Sequence, residues 1–238
     1  MDRSHQWGIW CGILYLVVCG SGFVLISGFF PPLNPQLGPA ELSQLFIKNA
    51  SSIKVGMILV QSSAFLYMAW GVSLSALIRR IESDDAHFLS TCQMIGSIWL
   101  AFFFVLPPMI WGALAYRPDI DPKLLHFAND VSWILFITPV PPALMQYIPL
   151  GVAILRQHEE NAIFPRWLGY FSLWASFMFA PGWLPYFFQN GPFAWHSVFA
   201  FWVPVVVFST IVMTLLSFMH QIAKQRGRIE PGTRRPRF

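Results

Sequence analysis

Long apolar runs, separated by short charged stretches, set the pattern of this chain. Residues 4–40, 55–78, 86–116, 131–155 and 167–223 contain no Asp, Glu, Lys or Arg. An ionised side chain at the centre of a membrane helix costs roughly 2.5–3.5 kcal/mol on insertion scales, so such intervals mark where lipid can be. The last interval is too long for one crossing at about 1.5 Å per residue, and Gln189-Asn190-Gly191-Pro192 supplies a turn within it. The pattern predicts an all-α, polytopic transmembrane bundle of about six spans, at 7–30, 55–78, 88–116, 126–155, 167–188 and 193–222. Residues 1–222 form the membrane domain and 223–238 a basic tail.

The first span is longer than the roughly 7–15 residues of a signal-peptide core, and no clear A-x-A site follows it, so it reads as a retained helix. In the loop after it, Pro39 occupies a first helical position, Glu41 the first turn, and apolar residues recur at i, i+3 and i+4 up to Phe46. This predicts a short interfacial helix on the outer face.

Composition agrees with a membrane chain. Of 238 residues, 11% are charged and 55% hydrophobic, where a soluble domain carries about 25% charged residues. Cys11, Cys19 and Cys92 form no CxxC pair and read as small apolar residues. The net charge of +4 is concentrated in Lys224, Arg226, Arg228, Arg234, Arg235 and Arg237, which argues against nucleic-acid binding. These residues fix topology and attract anionic lipid at about 1 kcal/mol each, or else bind a partner.

With the N-terminus inside, Arg3, Arg79, Arg80, Arg156, Arg166 and the tail face the cytoplasm, and Lys48, Lys54, Arg117 and Lys123 face out. The excess predicts cytoplasmic N- and C-termini. Trp7 and Trp10 at one face, and Trp111, Tyr116, Trp183, Tyr186 and Trp195 at the other, fit aromatic belts.

Phosphate-loop, dinucleotide, zinc-protease and nucleophile-elbow motifs do not occur, and no cluster of carboxylates marks a metal site. No cofactor is identified. His87, His126, His196 and His220 lie near span ends, but His196 and His220 are separated by roughly 36 Å of helix, so a two-haem arrangement places both at the rim. Interfacial histidines are the simpler reading.

Pro107, Pro108, Pro139, Pro141, Pro142, Pro181, Pro185 and Pro204 all fall in the outer halves of the third to sixth spans. Proline removes a helical hydrogen bond, and broken backbone at membrane depth is tolerated where it packs on protein or lines a cavity. Two readings stand: simple kinks, or an outward-facing cavity shared by four spans. His126, Asn129, Asp130, Trp111, Trp133, Trp183, Tyr186 and His196 lie at that level and are the candidate ligand-binding residues. Asp130 sits about one turn into its span, where it can also reach water.

The segment Phe164-Pro165-Arg166-Trp167-Leu168-Gly169-Tyr170 and the run Gly191-Pro192-Phe193-Ala194-Trp195 resemble segments of bacterial six-span membrane proteins of unknown function. The resemblance covers the second half of the chain. It implies a bacterial inner membrane and a six-helix layout, and no activity. Two function classes follow from the residues. The first binds or transports a small apolar molecule, or serves a membrane complex as an accessory subunit among lipids. The second is an intramembrane enzyme with Asp130 and His196 as an acid–base pair.

Overall fold

Peptide groups in lipid must be satisfied within the chain, and the apolar intervals of this sequence are helical. In the computed structural model, residues 3–82, 87–158 and 162–229 are described. Its α-helices are α1 (Arg3–Gly20), α2 (Pro39–Ile81), α3 (Phe88–Phe102), α4 (Leu106–Tyr116), α5 (Pro122–Ile137), α6 (Val140–Arg156), α7 (Arg166–Phe179) and α8 (Val203–Ile229). Five stretches, Gln6–Ile26, Pro39–Ile81, Phe88–Tyr116, Pro122–Arg156 and Gly191–Lys224, are long and apolar enough to cross a membrane. The predicted fifth span corresponds to α7 and the 3-10 helix Ala180–Tyr186 that continues it, and is not among these five. The chain is an all-α, multi-pass membrane bundle.

The helix expected at Pro39 starts there, after an extended Gly38, but it does not end at Phe46. It runs 43 residues to Ile81, about 65 Å at 1.5 Å per residue and roughly twice the hydrocarbon thickness. Residues 47–54 contain neither Gly nor Pro to stop it. A buried stripe at Leu42, Phe46, Ile53, Met57 and Val60 carries one helical face straight through. The interfacial helix and the second span are therefore one element.

In the half of the bundle nearest the chain ends, here called basal, α1, α2, α3, α6, α7 and α8 form a ring in which α8 returns to α1. Its core includes Tyr15, Tyr67, Trp70, Tyr147, Leu150 and Leu215. In the distal half α2 packs against α4, α5 and the π-turn Ser21–Ile26, around Phe29, Phe46, Trp111, Trp133 and Trp195.

Without a hydrophobic drive between helices in lipid, small residues set how closely backbones approach. A Cβ on Gly96 of α3 would lie 2.4 Å from the Gln146 nitrogen of α6. One on Gly151 of α6 would lie 2.9 Å from the Gly169 carbonyl oxygen of α7. Gly12 lets α1 press against Trp70 and Leu216, so the first span is built into the bundle. At the other end α8 extends to Ile229, and residues 230–238 of the basic tail lie outside the described residues.

Candidate functional site

Each of the third to sixth predicted spans departs from α-helix, two at a non-helical turn and two by a change to 3-10 or π geometry, and each departure adjoins prolines noted in the sequence. Residues 103–105 form a turn between α3 and α4, with Pro107 and Pro108 in the first turn of α4. Thr138 and Pro139 separate α5 from α6, whose first turn holds Pro141 and Pro142. The α-helix of α7 tightens to 3-10 geometry through Pro181 and Pro185. The π-turn Val198–Trp202 precedes α8, which has Pro204 as its second residue. Proline by itself does not force a break here, since Pro149 lies inside a continuous α6.

The four interruptions surround one partly open cavity of about 130 Å³. Leu100 and Phe104 line it from the first break, Phe136, Ile137, Pro139, Val140 and Ala143 from the second, and Phe179 from the third. Ala200, Phe201, Pro204, Val205 and Phe208 complete it from the fourth. All these side chains are apolar, so the polar part of the wall is backbone. Such a site holds an apolar body and offers it no charged or titratable group.

Behind the basal wall lies a buried polar layer. The Tyr67 hydroxyl donates to Gln146 Oε1 at 2.7 Å. Gln146 Nε2 and the Tyr147 hydroxyl are buried and make no hydrogen bond of good geometry. Lining rings separate these groups from the cavity: Phe104 and Phe208 lie 5.7 and 5.9 Å from the Tyr67 ring, and Phe179 stacks on Tyr147 at 5.7 Å.

The polar residues singled out in the sequence lie distal to the cavity. Trp111 Nε1 donates to Asn129 Oδ1 at 3.2 Å, and Trp111 meets Trp133 edge to face at 5.0 Å. Trp133 also stacks on Trp195 at 6.4 Å, which donates its indole N–H to the Leu33 carbonyl. His126 Nδ1 lies 3.5 Å from Asp130 Oδ2 one turn along α5, and its Nε2 contacts the Leu37 carbonyl oxygen at 3.0 Å. Asp130 thus has His126 as its ion-pair partner, and an Asp130–His196 pair is not among the ion pairs of the described residues. His196 Nδ1 is buried without a hydrogen bond.

Trp183 and Tyr186 sit on the exposed 3-10 segment, where the Tyr186 hydroxyl meets Thr138 Oγ1 at 3.3 Å. Trp111, Asn129, Trp133, His126 and Asp130 are thus joined along α4 and α5, while Trp183 and Tyr186 stand apart. Sequence reasoning missed the lining phenylalanines, whose identity does not distinguish them from lipid-facing ones. Gln146 had a usable signal as an amide in the middle of a charge-free interval. Among the described residues, no three His, Cys, Asp or Glu side chains gather as metal ligands. No protein-family model, curated protein or solved structure matches the chain.

Proposed function

We propose that this chain is a bacterial inner-membrane protein, with both ends cytoplasmic, that binds a small apolar molecule. Binding serves transport of that molecule or its delivery to a partner subunit of a membrane complex. The observation that carries this reading is the convergence of four broken spans on one apolar cavity. Departures from α-helix leave backbone groups to be satisfied in lipid, and four that border one cavity are hard to account for as independent kinks. Discontinuous helices around a mid-membrane site are also the way transporters expose binding groups. The excess of Lys and Arg on the basal loops supports the orientation.

Organic extracts of the purified wild-type protein should contain a small apolar molecule in near-stoichiometric amount by mass spectrometry. Ala143→Phe, which places a ring in the cavity, should remove it while the protein remains folded. Equal content in both proteins would overturn the reading.

A further inference from the structure

A second cavity, of about 300 Å³, opens at the basal end between α2, α3 and α6 and shares no lining residue with the first. Phe88, Leu89 and Val152 belong to its apolar wall, and Glu82 and Arg156 supply its charges. The charge-free intervals of the sequence end beside these residues: 55–78 stops before Arg79-Arg80, 86–116 begins two residues before Phe88, and 131–155 stops at Arg156. The cavity therefore sits where lipid chains give way to headgroups.

Glu82 is held by backbone. The Leu89 amide donates to its Oε1 at 2.6 Å and the Ser90 amide to its Oε2 at 3.2 Å, both in the first turn of α3. The Ser75 hydroxyl of α2 donates in turn to the Ser90 carbonyl at 2.7 Å. An ionised carboxylate offers about four lone-pair sites, so Glu82 keeps acceptor capacity after both bonds. Arg156 ends α6 and forms no ion pair with Glu82 among the described residues. One cavity thus presents a fixed anion and a guanidinium that do not neutralise each other.

We propose that this cavity binds the headgroup of a phospholipid with a primary amine, phosphatidylethanolamine, with Arg156 on the phosphate and Glu82 on the ammonium. A guanidinium matches phosphate oxygens with paired N–H donors. The ammonium brings N–H donors to the remaining lone pairs of Glu82, which a quaternary amine cannot do. A purely anionic headgroup leaves Glu82 without a counter-charge. The acyl chains run past Phe88, which is 62% exposed, and the placement between helices at a membrane surface suits lipid headgroups. This site is independent of the apolar cavity, so its failure leaves the binding role proposed above untouched.

The test titrates the whole protein in detergent and counts bound lipid by native mass spectrometry. The probes are the dioctanoyl forms of phosphatidylethanolamine, phosphatidylglycerol and phosphatidylcholine, with free phosphoethanolamine as the soluble source of the same headgroup. Phosphatidylethanolamine should bind about tenfold more tightly than the other two lipids, the worth of a hydrogen bond to a charged group. Free phosphoethanolamine, which lacks the apolar contact, should bind more weakly than the lipid. Arg156→Gln should weaken phosphatidylethanolamine about tenfold, and Glu82→Gln should bring it to the level of the other two lipids.

Equal binding of the three lipids by the wild type would overturn the headgroup assignment. Free phosphoethanolamine binding as tightly as the lipid would make the ligand a soluble phosphate and overturn the lipid one. Unchanged phosphatidylethanolamine affinity in both variants would overturn the placement in this cavity. Should Glu82→Gln not fold, since Glu82 caps α3, the exposed Arg156→Gln and the wild-type ranking decide.

Discussion

Asn129 and Trp111 carry one of the distal core's polar contacts, an indole N–H held by a side-chain amide inside a shell of rings. Asn129→Leu keeps the volume and removes the acceptor, stranding a buried donor. It should destabilise the protein by about 1–3 kcal/mol, seen as a lower midpoint of thermal denaturation in detergent. Asp130 and His196 make a different case, because neither lines the cavity. Asp130→Asn and His196→Ala should each leave the co-purifying molecule at wild-type amount by mass spectrometry. Loss in both variants would move the site distally, toward the acid–base reading.

Helix contacts depend on where glycine stands rather than on how many there are. Gly96 and Gly112 are both helical, yet a Cβ at Gly96 meets the backbone of α6 and one at Gly112 meets nothing within 4 Å. Gly96→Ala should push α3 from α6 and destabilise by about 1–3 kcal/mol. Gly112→Ala should stabilise α4 by up to about 1 kcal/mol, because alanine loses less backbone entropy. Parallel denaturation of the two variants checks the contrast. Element ends were largely legible where Pro or Gly marks them, as at Pro39 and at the Gln189–Pro192 turn. The far end of the first-loop helix was not, because a charge at Lys48 or Lys54 limits where lipid lies without stopping a helix.

For the whole molecule, the proposed orientation rests on the distribution of Lys and Arg, and its test is labelling. With Cys11, Cys19 and Cys92 replaced, single cysteines at exposed Asp119 and His158 should react from opposite sides of intact cells. Asp119 should label with an impermeant maleimide and His158 only after permeabilisation. Labelling of both from outside would reverse the proposed topology. The length of α2 adds a feature that span counting did not reveal: its first turns are continuous with the second span and pack into the distal core through Leu42 and Phe46.

What the sequence determined by itself was the helical class, the spacing of the spans and the positions of the prolines beside which four of them depart from α-helix. Each follows from local chemistry: charge is excluded from lipid, backbone groups must pair within the chain, and proline lacks an amide proton. The tertiary structure alone decided that the four breaks share one cavity, that Asp130 pairs with His126, and that Tyr67 and Gln146 meet across the bundle. The reason is that lipid is as apolar as the protein interior. Phe65 is 64% exposed and Phe201 1%, yet both are phenylalanines in charge-free apolar stretches of the sequence. Hydrophobicity therefore marks what enters the membrane, and only helix packing decides which side faces inward.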